Sequence, residues 1–319
     1  MESSRKCSML SKQPIIKSKL PSCWRLQVTD SFFAESNSRL VCHLLANAKV
    51  ELIKSSVENP SLDAEWILAY VLQTGRLNLP LLSDRKLSES EIEHLACLIR
   101  RRASREPLQY VLGNSLFADL DLKVDQRVLI PRPETEDLLT RIVSLTNYSP
   151  NRIMDLGTGS GALALGLALA FPAAEVLAVD KSSAALALAM ENAIRNKLED
   201  RVKFLLSDWF DSVEGSFDLI VSNPPYLNEK EWRECDPEVR DFEPKQALVS
   251  HQQDSAADLK RILNIALSKL RKGGALFLET GETHHSMLVE QASSIGYVSP
   301  IAMTDIRSRP RFFSARRAD

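Results

Sequence analysis

No stretch of this 319-residue chain approaches 18 uncharged apolar residues, so nothing in it is long enough to cross a membrane as a helix. The longest apolar segment, Ala162 to Phe171, is too short and sits inside an alternating strand–helix pattern. Cysteine is scarce and irregular: Cys7, Cys23, Cys42, Cys97 and Cys235 form no Cys-x-x-Cys pair. An odd number in a chain of this size argues against a disulfide framework and for a reducing compartment. The five histidines have no ligand spacing, and the adjacent His284 and His285 point in different directions. No metal site is expected. Net positive charge is lacking outside the N-terminal stretch. The net charge is −2, yet residues 1–29 carry +5, which leaves −7 for the other 290. An acidic body without a basic patch is poor material for gripping phosphate backbones, so no direct nucleic-acid partner is expected.

What is present is ordinary for a globular protein: 44% hydrophobic and 26% charged residues, with length for about two domains. Four segments are expected. Residues 1–38 are basic and Ser-rich and read as a poorly ordered extension. The alternative for them is an organellar transit peptide, which would replace a cytoplasmic location by a mitochondrial one. Residues 39–106 have helical spacing, with Leu44, Ala48 and Leu52 on one face. Ser61 is a possible N-cap for a helix over 62–73 that Gly75 closes, and Ser88 to Glu91 opens a further helix. In residues 107–130 the period changes to two, with Leu120, Leu122 and Val124 alternating with polar residues and Gly113-Asn114 as a turn. This predicts a β-hairpin linker. Residues 131–319 begin with an extended Pro-x-Pro segment that leads into a helix, then alternate strands and helices. Strands are expected at 153–156, 175–180, 202–206, 217–221 and 275–279, with a further pair near 297–303 and 311–315. Helices are expected near 162–170, 183–196, 256–270 and 285–295. Such alternation predicts an α/β fold with a mostly parallel, doubly wound sheet covered on both faces.

Two motifs carry chemistry. The first is Gly157-Thr158-Gly159-Ser160-Gly161, where the first strand of the sheet turns into a helix. Glycines there allow close backbone approach, and the helix N-terminus offers unpaired N–H groups. Asp180 ends the next strand, where a carboxylate can accept both hydroxyls of a ribose. Gly157-x-Gly159-x-x-Ala162 also satisfies the nicotinamide-dinucleotide pattern. However, Asp155, directly before the loop, would meet a pyrophosphate badly and suits a cationic or amino-acid ligand. S-adenosyl-L-methionine is therefore the preferred cofactor over NAD. Trp209 ends a third strand on the same edge. It could stack on an adenine ring, or could simply be buried between strand and helix.

The second motif is Asn223-Pro224-Pro225-Tyr226, at the end of the apolar run 217–221. Each proline fixes φ and lacks an N–H, so the carbonyls there are not absorbed into regular pairing. The Asn223 oxygen, the Pro224 carbonyl and the Tyr226 ring together suit a planar –NH2 group. An NAD-dependent oxidoreductase leaves this motif without a role.

With these motifs in this order, the chain resembles class I S-adenosylmethionine-dependent methyltransferases, and more narrowly the protein-(glutamine-N5) methyltransferases that modify class 1 peptide chain release factors. The resemblance runs from Arg105-Glu-Pro-Leu-Gln-Tyr110 to the end, and includes Ile130-Pro-Arg-Pro-Glu-Thr-Glu136, Asp241-Phe-Glu-Pro244 and Arg309-Pro-Arg-Phe312. Thr280 and Ser308 depart from the family pattern. The resemblance implies a Rossmann-like seven-stranded methyltransferase sheet with a small N-terminal helical domain that recognises the substrate. It further implies that residues 157–161, Asp180, Trp209 and Asn223 contact the cofactor, and that Asn223 to Tyr226 hold the substrate glutamine, with Asn223, Pro224 and Tyr226 catalytic. A monomer acting on a release factor is expected. The alternatives are a ribosomal-protein glutamine methyltransferase and an N-methyltransferase acting on adenine. Plainer roles are expected for Arg100-Arg101-Arg102 with Arg105, as the charge-compensated end of a helix, and for Glu279, as a structural residue.

Overall fold

The computed structural model describes residues 38–250 and 254–319. The extension expected at 1–38 lies, apart from its last residue, outside the described residues. The first helices are α1 (Val41–Lys54), α2 (Pro60–Val71) and α3 (Glu89–Ala103). Their apolar faces meet in one cluster that includes Leu44, Leu52, Ile67, Leu95 and Ile99. Helix α3 starts where expected. Ser88 Oγ accepts from the Glu91 N–H at 3.3 Å, and the Glu91 carboxylate accepts from the Ser88 N–H at 2.8 Å, a reciprocal cap worth about 1 kcal/mol. Helix α2 differs from expectation at both ends. It begins at Pro60, whose fixed φ suits the first turn. It is closed by Gln73 at φ 51°, and Gly75 instead opens a 3-10 segment over Arg76–Leu82.

A short helix, α4 (Leu108–Leu112), leads into a hairpin of β1 (Asn114–Phe117) and β2 (Leu120–Lys123). Gly113, at φ 76°, caps α4; the hairpin turns at Ala118-Asp119, one strand later than the Gly113-Asn114 turn expected.

Helix α5 (Pro133–Leu145) precedes the main sheet of β3 (Arg152–Leu156), β4 (Glu175–Asp180), β5 (Val202–Leu206), β6 (Phe217–Ser222), β7 (Leu270–Glu279), β8 (Tyr297–Thr304) and β9 (Pro310–Arg317). The strand order is β5-β4-β3-β6-β7-β9-β8. The first five strands are parallel, and β9 runs antiparallel between β7 and β8. Successive side chains on the central strands enter opposite cores. Ile153, Leu219 and Val221 pack on one face, and Met154, Leu156 and Ile220 on the other. This two-sided burial is why the strands read as continuous apolar runs instead of alternating ones. Helices α6 (Ala162–Ala170) and α7 (Ser183–Arg195) follow β3 and β4. Gly166 lets α5 lie against α6, since a Cβ there would come within 2.5 Å of Leu139. Strand β7 begins at Leu270, earlier than the Ala275 expected, because Arg271–Gly274 continue the strand opposite an irregularity between Phe217 and Leu219 of β6. Short helices α8 (Glu229–Arg233) and α9 (Pro237–Phe242) follow β6. Then come α10 (Ala257–Lys269), before β7, and α11 (His285–Ile295), after it.

The arginine run fills the last turn of α3, as expected, and also makes longer-range pairs. Arg102 is buried and pairs with both Asp63 on α2 (2.7 Å) and Glu238 on α9 (3.0 Å). Arg105 pairs with the same Glu238 through both oxygens at 2.6 Å. These contacts tie the helical module to the segment that follows Asn-Pro-Pro-Tyr. Among the described residues no helix is long and apolar enough to cross a membrane.

Candidate active site

Strands β3, β4 and β6 end side by side. The chain leaves β3 toward β4 and later returns on its other side as β6, so the strand order reverses between β3 and β6. A crevice opens at such a reversal, at the carboxyl ends of the strands. The cavity found here is lined by Gly157 to Ser160, Asp180, Trp209 and Asn223, together with Asp155, Thr135, Pro225 and the segment 127–132. Gly161, Pro224 and Tyr226 lie outside its wall.

The loop is laced to the sheet by its own backbone. The N–H groups of Gly157 and Thr158 donate to the Val179 carbonyl at 2.8 and 2.9 Å. Gly157 (φ 71°) holds a left-handed conformation, and a Cβ there would sit 3.5 Å from the Trp209 ring. Asp180 Oδ2 accepts from the Gly159 N–H at 2.9 Å, and its Oδ1 accepts from the Ser182 N–H at 2.8 Å. One carboxylate thus fixes both the loop and the start of α7. Trp209 takes the buried of the two places considered for it, and does so at the cavity's edge. Its indole is buried and donates to Asp258 Oδ1 at 3.1 Å, and its ring forms part of the cavity wall.

Asp155 is 1% exposed. Its Oδ2 accepts from the Thr158 hydroxyl (2.7 Å) and the Ala164 N–H (3.1 Å), while Oδ1 is buried without a partner. Burial pushes its pKa up to about 7, against the pull of the Thr158 hydroxyl. Burial also raises the pKa of Asp180. Of these two acids Asp155 alone keeps a spare buried oxygen, an acceptor that suits an N–H donor, which a pyrophosphate does not carry. The amino group of S-adenosylmethionine fits that demand.

On the β6 side, the Ser222 hydroxyl donates to the Leu156 carbonyl at 2.6 Å and joins the two strand ends. Asn223 Nδ2 donates to Thr135 Oγ1 (3.1 Å), and Thr135 Oγ1 donates to Glu279 Oε2 (2.7 Å). The Tyr226 hydroxyl donates to Glu279 Oε1 at 3.2 Å. Glu279 is 1% exposed, and burial pushes its pKa up to about 7 although both hydroxyls oppose this. Glu279 thus joins Thr135 and Tyr226 through its two oxygens, contacts that the structural role expected for it did not specify. Thr135 lies in the 130–136 segment that carries the resemblance, but its partners, 88 and 144 residues away in the chain, could not be read from it. A third missed contact closes the far wall. Arg132 Nη2 donates to both oxygens of the buried Glu243 at 2.7 and 2.8 Å. This brings Pro244, Gln246 and Ala247 over the cavity.

A seven-stranded sheet of this order with a glycine loop at its reversal point defines a class I methyltransferase, an enzyme that draws its methyl group from S-adenosylmethionine. Two family models match, the PrmC N-terminal domain over residues 43–113 and the methyltransferase small domain over residues 135–235. The catalytic domain of hMettl16, solved with MAT2A 3′UTR hairpin 6, has the same fold. Its TM-score is 0.52 at 17% identity, over 69% of this chain and 81% of that one. The release factor glutamine methyltransferase of Chlorobaculum tepidum is 39% identical over 250 residues, 75% of this chain and 84% of the relative. That of Deinococcus radiodurans is 38% identical over 276 residues, 86% of this chain and 98% of the relative. The chain belongs to the release factor glutamine methyltransferase family.

Proposed function

We propose that this enzyme methylates the side-chain amide nitrogen (N5) of the glutamine in the Gly-Gly-Gln motif of class 1 peptide chain release factors. The observation that carries the reading is the Asn223 carboxamide. Its NH2 donates to Thr135, which leaves the carbonyl oxygen at the opposite edge of the planar amide, and Asn223 lines the cavity. An amide NH2 has two hydrogens to donate. Asn223 Oδ1 and the Pro224 carbonyl, which pairs with no strand, accept one each and aim the nitrogen lone pair into the cavity. Tyr226, held by Glu279, covers one face of the substrate amide. Residues 157–161, Asp180 and Trp209 hold the cofactor, with Asp180 on the ribose hydroxyls. S-adenosylmethionine, when bound, supplies the electrophilic methyl.

An amide nitrogen is a poor nucleophile, and each neutral hydrogen bond contributes only about 1 kcal/mol net. Alignment in a pre-set polar environment therefore carries most of the acceleration. We assign recognition of the release factor to the helical module at residues 39–106, where Leu77 and Leu81 are more than 80% exposed. Within this reading the enzyme acts as a cytoplasmic monomer. The free thiols of Cys42, Cys97 and Cys235 suit a reducing compartment.

The test is transfer of labelled methyl from S-adenosylmethionine to a purified class 1 release factor and to the same factor with its Gly-Gly-Gln glutamine changed to alanine. Label on the first alone is expected. Label on both, or on neither while ribosomal protein or nucleic acid is labelled, would overturn the reading.

A further inference from the structure

The donors and acceptors behind Asn223 form an ordered chain, and its order is set at the end remote from the substrate. An ionised carboxylate only accepts hydrogen bonds. Glu279 Oε2 therefore obliges the Thr135 hydroxyl, 2.7 Å away, to donate its one hydrogen there. That leaves Thr135 Oγ1 only lone pairs for Asn223, 3.1 Å away, so Asn223 must present its NH2 and not its carbonyl. An asparagine amide has nearly the same shape in either flip, and no other hydrogen bond to the Asn223 side chain is present among the described residues. Resting on the proposed use of Asn223 Oδ1 as acceptor for the substrate amide, we propose that Thr135 and Glu279 are positioning residues that hold the Asn223 carboxamide in its reactive flip.

The three residues come from separate parts of the chain: Thr135 from the first turn of α5, Asn223 from the position just after β6, and Glu279 from the last position of β7. Thr135 is 5% exposed and Glu279 is 1% exposed, so the bridge is largely shielded from bulk solvent. The second Glu279 oxygen accepts from Tyr226, which places both walls of the proposed amide slot under one carboxylate. The other charges facing this carboxylate are Arg311 on β9, which favours its ionised form, and Glu134 on α5, which opposes it. Glu134 is itself paired with Arg309 at 2.6 Å. If Glu279 takes up a proton, it gains a donor and the order of the chain is no longer imposed. The Thr135 hydroxyl is then free to donate to an inverted Asn223, whose NH2 would face the substrate NH2. Turnover should therefore fall on the acid side as Glu279 protonates, with cofactor binding little changed.

The experiment measures kcat, KM for the release factor and cofactor Kd for Thr135→Val and Thr135→Ser across pH 5.5–8.5. Valine keeps the shape and removes the hydroxyl. Thr135→Val is expected to lower kcat by roughly 10- to 100-fold with cofactor Kd and release-factor KM within about threefold. Its remaining activity should lack the wild-type acid limb. Thr135→Ser should recover kcat to within about threefold. Wild-type kcat in Thr135→Val, or a serine variant as slow as the valine one, would overturn the proposal. Should Thr135→Val fail to fold by circular dichroism, Glu279→Gln is read in its place, and a retained acid limb there would overturn the proposal equally. Asn223→Ala is assayed alongside. If it is as active as wild type, the reading of Asn223 fails; if it is slowed while Thr135→Val keeps wild-type kcat, only the positioning role fails.

Discussion

The two halves of the site are built from different material. The cofactor half rests on backbone: N–H groups of a five-residue loop, laced to β4 and braced by Asp180, a residue only 21 positions from Gly159. The acceptor half rests on side chains from three elements, Asn223, Thr135 and Glu279, spanning 144 residues of chain. A backbone N–H can only donate, so once the loop is braced the sense of its donors is fixed. A carboxamide has no intrinsic sense and depends on its neighbours. We expect the first half to govern binding and the second to govern rate.

The sharpest way to break this division is Asn223→Ala. The variant should lose roughly 100-fold or more in turnover, with cofactor Kd unchanged within a few-fold. Equilibrium dialysis and a rate assay on one preparation would check it. Asp180→Ala probes the other half. Loss of the brace on Gly159 and Ser182 should weaken cofactor binding by roughly 30-fold, while turnover at saturating cofactor stays near wild type.

Glu279→Gln sharpens the comparison through stability. Burial raises this carboxyl from the usual glutamate range to about 7. The folded state thus binds the proton more tightly than the unfolded chain. The stability this group contributes is full below about pH 4.5 and is lost as pH rises through about 7. Glutamine does not titrate, so the variant should gain about 2 kcal/mol relative to wild type between pH 5 and pH 8. Denaturant unfolding at both pH values measures the gain. A gain in stability together with a loss of turnover would identify Glu279 as a residue kept for function at a cost to folding.

Glu238→Gln is the control outside both halves. It removes the charge shared by Arg102 and Arg105 and should cost about 1 kcal/mol of stability. Turnover and cofactor Kd should move less than threefold.

Legibility in the sequence follows the same division. The strands at 175–180 and 202–206 and the helices at 162–170 and 285–295 end where their spacing predicts, because each is dictated by local period and caps. The glycine loop and Asn-Pro-Pro-Tyr were recognisable for the same reason, each being a contiguous run. Helices α8 and α9, of five and six residues, are too short for a period to show. Gly113 misled by being a helix cap next to a hairpin, a position that glycine favours as much as a turn. Thr135, Glu243 and the Asp63–Arg102–Glu238 bridge find their partners only when distant elements meet, so the segments around Thr135 and Glu243 could be singled out but not their contacts.

The most direct measurement is single-turnover methyl transfer to a release factor at saturating cofactor, run with wild type, Asn223→Ala and Asp180→Ala, and with cofactor Kd taken on each preparation. The account predicts a crossing: the rate falls in Asn223→Ala alone, and Kd rises in Asp180→Ala alone. Both quantities changing together in either variant would contradict the division of the site into a half that binds and a half that aligns.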